Sequence, residues 1–261
     1  MQVPGLKSSA EVPDGPTVTL SAELEHSRRT RAAIEDLIAT PQLLGPDFQP
    51  IRRFSDDSLV GYKATGRGAA GTEVGDTLSL LRGAQWLGLV ERLDWSFRCH
   101  AFDVAVDAGL DVPVHLTPEP ETFGSMCPPR LAVSFSRGRR ELTVVAEIHE
   151  DSLAEAARLR TAIDEMRSWG WQFALADLAD VPAASSALGW IAPAFVQVDL
   201  SVPGRLAQPA VRRWLDSAAD HGVEVMALGV DSGARRDEAV EAGATCGRGA
   251  ALGAAGDLPR R

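Results

Sequence analysis

The sequence predicts an α/β fold, a closed TIM-like (β/α) barrel, from two observations. Seven short β-rich runs are interspersed with longer segments of helical period. Strand, helix and strand repeated in this way need crossover connections, hence a mainly parallel sheet with helices outside it. Several runs also finish at or beside a polar or ionisable residue: Lys63, His115, Glu147, Asp177 and Asp199. The C-terminal strand ends of a parallel barrel gather at one mouth, so these distant residues would converge there. A polar residue that only marks the passage from strand to loop is the plainer reading of any one of them; five in succession favour convergence. A doubly wound open sheet is the alternative architecture.

The elements follow in order. Residues 1–20 mix proline, glycine, serine and charge with no lasting period, the composition of a mobile arm. Ser21 is a candidate N-cap for a helix that ends before Pro41. The β-rich runs are 59–63 (LVGYK), 112–116 (VPVHL), 131–135 (LAVSF), 143–148 (TVVAEI), 173–177 (FALAD), 195–199 (FVQVD) and 223–228 (VEVMAL). Helical period covers 77–108, 151–168, 182–189, 208–221 and 233–242. The expected organisation is an arm over 1–20, a single barrel domain over 21–255 that includes the N-terminal helix, and a tail over 256–261.

Composition narrows the function. The 261 residues carry 36 acidic against 26 basic side chains, a net charge of −10. Such a field repels nucleic-acid backbones and anionic lipid surfaces, so an anionic ligand needs a local cluster of cations. Of the basic residues only Lys7 and Lys63 are lysine. Cys99, Cys127 and Cys246 are odd in number and far apart, which fits reduced thiols in a cytoplasmic protein rather than a disulfide framework. No apolar run reaches membrane-spanning length, so membrane insertion is not expected.

Common motifs give little. Gly66 to Gly71 fits GxGxxG, but the following TEVGDT continues a loop instead of opening a helix, against a dinucleotide fingerprint. The five histidines show no zinc-ligand spacing, and there is no GxSxG elbow or P-loop.

Taken in order, a set of short segments resembles the EAL domain, the bacterial phosphodiesterase family that opens cyclic di-GMP. They are Phe48-Gln49-Pro50-Ile51, Leu59-Val60-Gly61-Tyr62, Arg92-Leu93-Asp94-Trp95, Val114-His115-Leu116-Thr117-Pro118, and Ala146-Glu147-Ile148-His149-Glu150. Phe173 to Leu178, Val196-Gln197-Val198-Asp199, Ala227 to Asp231 and Gly243-Ala244-Thr245 continue the series. The resemblance spans roughly residues 30–253 and implies a barrel with its chemistry at the strand C-termini. It also implies two divalent cations, magnesium or manganese, that activate water against a phosphodiester, and such hard cations need oxygen ligands.

Residue by residue, most of the implied metal positions are altered. Lys63 stands where the family has a glutamate ligand, His115 where it has an asparagine, and Ala176 at the first of two paired aspartates. Gln197 replaces the lysine associated with the water, and Leu228 replaces a further glutamate. Glu147, Asp177 and Asp199 remain acidic. The resemblance places Gln49 against a guanine, Arg67 on a phosphate and Asp94 at a guanine edge.

The expected protein is therefore a noncatalytic, degenerate EAL domain in cyclic di-GMP signalling, with no metal or other cofactor, that binds the nucleotide or a partner protein. One alternative is an active phosphodiesterase using magnesium or manganese at a site of Glu147, Asp177 and His115. The other is a nucleotide-independent scaffold. Analogy with the family adds a homodimer as one expected state. An ammonium without its metal neighbours suggests one geometric expectation: Lys63 should lie within about 4 Å of Glu147 or Asp177.

Overall fold

The computed structural model describes residues 16–68, 71–176 and 181–259. Helix α1 (Pro16–Ala39) leads into strand β1 (Gly45–Arg53) and, through a turn, strand β2 (Leu59–Arg67). Two helices follow, α2 (Thr77–Leu87) and α3 (Val90–Asp107), then β3 (Val114–Leu116), α4 (Ala132–Glu141) and β4 (Val144–His149). The chain completes its circuit with α5 (Ala156–Ser168), β5 (Gln172–Ala176), α6 (Val181–Ile191), β6 (Phe195–Asp199), α7 (Pro209–Asp220), β7 (Glu224–Leu228), α8 (Gly233–Glu241) and β8 (Cys246–Gly247).

The eight strands close into a barrel in sequence order. β2 to β8 run parallel, while β1 is antiparallel to both its neighbours, β2 and β8. Closure decides against the open, doubly wound sheet. Helices α3 to α8 pack their apolar faces on the outside of the strands, around Phe102, Trp214, Val144 and Phe173. A second core, built on Ile34, Ile38, Leu80 and Leu93, joins α1, α2 and α3 into a lobe beside β2. Within the barrel Ile51, Met226 and Cys246 form a small apolar cluster with Phe195 and Leu228 against it.

Several expected boundaries need correction. α1 starts at Pro16, so Ser21 lies inside the helix instead of capping it. The 77–108 segment is two helices, because Gly88 adopts φ 66° and its amide bonds the carbonyls of Ala84 and Gln85, a left-handed cap that ends α2. The 131–135 run is not a strand. Leu131, Phe135 and Gly138 are its buried positions, a helical spacing, and the segment enters α4 through the turn begun by Pro129. After β8, Gly256 bridges Phe48, and Leu258 is buried.

Candidate functional site

Strand alternation builds the site. Side chains two residues apart share a face, and Lys63 of β2 pairs in register with His115 of β3, with Glu147 one strand further on. All three point into the barrel and are buried, Lys63 to 4 %, His115 to 0 % and Glu147 to 1 % exposure. The Lys63 Nζ lies 2.7 Å from Glu147 Oε2 and also donates to the Thr117 hydroxyl. The geometric expectation for Lys63 is thus met by Glu147; Asp177 lies outside the described residues.

A second cation completes the arrangement. Arg248, just past β8, places Nη2 4.0 Å from Glu147 Oε2 and donates from Nη1 to Gln49 Oε1 at 3.5 Å. His115 Nδ1 comes to 3.3 Å from Glu147 Oε1, within ion-pair range. Its alignment is too poor for a hydrogen bond, so both atoms lack a hydrogen-bond partner.

The electrostatics follow from burial and pairing. Burial draws the Lys63 ammonium below the usual lysine range, against the pull of Glu147. Burial alone would push Glu147 up, but Lys63 first, then His115 and Arg248, outweigh it and hold the carboxyl well below the usual carboxylate range. Glu147 is ionised at neutral pH. Burial draws the His115 imidazole down as well, opposed by Glu147, so it is neutral at pH 7.

A pH dependence follows. Below about pH 6.5 an unfolded chain protonates His115 while the folded one does not. Stability is therefore complete above that pH and falls as pH drops toward the lower folded value, by up to about 1.4 kcal/mol per pH unit from this group. Urea midpoints should decline between pH 7 and pH 5.5, and His115→Asn should flatten that decline; identical slopes in both proteins would contradict the assignment.

The other sequence-predicted positions are distributed around this pair. Ala176 is fully buried and offers no donor. Gln197 is buried, with Nε2 3.8 Å from Met226 Sδ and Oε1 unpartnered. Leu228 packs on the apolar cluster. Asp199 turns to the loop after β6, where Oδ1 accepts from the Ser201 amide at 2.8 Å.

The predicted ligand contacts are all engaged within the chain. Gln49 donates to the Gly253 carbonyl at 3.4 Å in addition to accepting from Arg248. Arg67 Nε is 3.0 Å from both oxygens of Asp47. Asp94, on α3, is buried and held by a short bond from Arg98 Nη2, with the Glu119 amide at 3.4 Å. Arg98 in turn lies over the Trp95 ring, 4.5 Å from its centroid. Between β2 and the helical lobe a cavity of about 220 Å³ opens beside Lys63, Thr117 and Asp94, with Leu80, Leu93 and Phe97 on its apolar side.

Arg248 and Arg98 were not among the residues singled out from the sequence. Arg98 was detectable, since it follows Asp94 by four residues on one helix face. Arg248 carried no such signal, because β8 is only two residues long.

The described residues do not fit the pair of divalent cations that the resemblance implies. A protonated amine has no lone pair for a metal, and here it occupies one oxygen of Glu147. The second oxygen faces imidazole nitrogen, a ligand poorly matched to magnesium. Among the described residues no group of three or more His, Cys, Asp or Glu side chains is arranged to hold a metal ion.

Comparison with known proteins accords with this architecture. Among solved structures, the FimX EAL domain of Xanthomonas citri in complex with c-diGMP superposes with a TM-score of 0.76 at 16% identity, covering 91% of this chain and 97% of that one. The EAL enzyme Bd1971 in its cAMP and cyclic-di-GMP bound form gives 0.73 at 16% identity, with 92% and 68% coverage. The PaMucR phosphodiesterase in its c-di-GMP complex gives 0.67 at 17% identity, with 89% and 97%. At these identities the likeness concerns the fold. No curated protein sequence matches the chain. No helix among the described residues is long and apolar enough to cross a membrane. The EAL domain family profile matches residues 31–255, and the chain belongs to that family.

Proposed function

We propose that this EAL domain is a noncatalytic module of cyclic di-GMP signalling in the bacterial cytoplasm, one that binds the nucleotide without hydrolysing it. The observation that carries the reading is the buried Lys63–Glu147 pair, 2.7 Å apart, at the position where the resemblance implies a metal-binding carboxylate. Two-metal hydrolysis needs cations that clamp the attacking and leaving oxygens. An ammonium in their place neutralises Glu147 and repels them. The fold supports nucleotide binding, as the FimX EAL domain and PaMucR are both seen with this ligand. Gln49 and Arg67 stay within reach of solvent, part-buried and exposed respectively, and can exchange their present partners for a ligand.

A second reading, the nucleotide-independent scaffold, is favoured by Asp94, whose carboxylate is buried and already committed to Arg98. Calorimetry of the full chain with cyclic di-GMP, with the nucleotide recovered afterwards, separates the readings. Heat of binding with intact nucleotide is the expected result. No heat leaves the scaffold, and linearised nucleotide in the presence of magnesium or manganese means an active phosphodiesterase.

A further inference from the structure

The Lys63–Glu147 pair leaves one group at the barrel mouth with unused binding capacity. The Arg248 guanidinium has five N–H donors, yet among the described residues its only hydrogen bond is the 3.5 Å contact to Gln49, and its approach to Glu147 is a loose 4.0 Å. Among the described residues its Nε is buried without a partner. A buried donor of this kind is costly unless something occupies it. Among the described residues, Lys63 and Arg248 are two cations on one buried carboxylate, with His115 neutral beside them. Glu119 is the other acid acting on Lys63, more weakly than Glu147.

The backbone that carries the guanidinium is fixed. The Arg248 amide donates to the Ala227 carbonyl at 2.9 Å, and its carbonyl accepts from the Val230 amide at 3.1 Å. Gly249 lets this crossing happen: a Cβ there would sit 2.3 Å from the Val230 nitrogen and 2.4 Å from its oxygen. The side chain thus extends from a fixed backbone toward Gln49 on one side and Glu147 on the other.

We infer that Arg248 is a phosphodiester anchor, and that the mouth of this barrel binds the anionic backbone of a cyclic dinucleotide through protein cations in place of metal ions. This rests on the nucleotide-binding reading above. A guanidinium presents parallel donors that match two phosphate oxygens. Lys63 fulfils a different part: it cancels the charge of Glu147, which would otherwise repel the same phosphate. Gln49, already in contact with Arg248, links the anchor to the position where a base is expected.

Calorimetry of the full chain with cyclic di-GMP, in EDTA and in magnesium, tests the inference. The two buffers should give affinities equal within about twofold, and Arg248→Gln should weaken binding about tenfold or more, as for loss of a charged hydrogen bond. Arg248→Lys retains a cation next to Glu147 and loses the fork, so it should recover only part of the affinity. It also decides the matter if Arg248→Gln does not fold. Binding by the unsubstituted chain that requires magnesium, or that both variants leave unchanged, would overturn the anchor while sparing the nucleotide-binding reading. No binding by the unsubstituted chain in either buffer overturns both.

Discussion

Lys63→Met should lower the stability of the folded chain by about 3–5 kcal/mol, the range for removing one partner from a buried ion pair. Methionine fills much of the volume of the lysine stem but leaves Glu147 without its nearest cation. With Lys63 at 4 % and Glu147 at 1 % exposure, water cannot compensate. Arg248, at 4.0 Å, supplies only part of the missing charge. Burial then raises the Glu147 carboxyl, and capture of a proton limits the loss. The double substitution Lys63→Met with Glu147→Leu should recover most of the stability, because two apolar groups need no counter-charge. Urea unfolding of the three proteins at pH 7 measures both effects. A single substitution that costs less than about 1 kcal/mol would show that the pair does not hold this mouth together.

Lys63→Glu should destabilise the chain at least as much and restore no hydrolysis. It exchanges an attraction for a repulsion, and one pair of like unit charges about 4 Å apart costs about 4 kcal/mol at an effective dielectric near 20. Protonation of one carboxyl is the cheaper outcome and keeps the cost finite. Among the described residues a divalent ion would find too few ligands. Ala176 and Leu228 offer no donor, His115 offers a nitrogen, and Gln197 only a neutral amide. Unfolding midpoints with and without manganese, together with cyclic di-GMP turnover, check this. Metal-dependent turnover from this one substitution would mean that the remaining positions are not limiting.

The parts of the fold that were legible share a physical cause. β4 to β7 are apolar runs of five or six residues buried on both faces, and their composition has one dominant interpretation. β1 carries Pro46 and Pro50, which lower strand propensity. It reads poorly in isolation because its pairing with β2 and β8 is a tertiary fact. The 131–135 run fits period 2 and period 3.6 equally over five residues, and only packing of Phe135 on Trp95 and Phe102 decides for helix.

The site divides in the same way. Lys63, His115 and Glu147 were identifiable as residues near strand ends, and barrel closure brings them together. That Asp94 is locked by Arg98, and that Arg248 shares Glu147 with Lys63, depends on where side chains meet across the fold. Asp199 shows the limit of a strand-end rule: its carboxylate serves the backbone of its own loop.

The proposal that an ammonium takes the place of a metal ion at Glu147 rests on the Lys63–Glu147 pair. Its most direct test is the rate of cyclic di-GMP hydrolysis by the unsubstituted chain with saturating magnesium or manganese, compared with Glu147→Ala. The expected result is no turnover above that variant with either metal. Metal-dependent turnover that Glu147→Ala abolishes would contradict the claim and make this protein a phosphodiesterase.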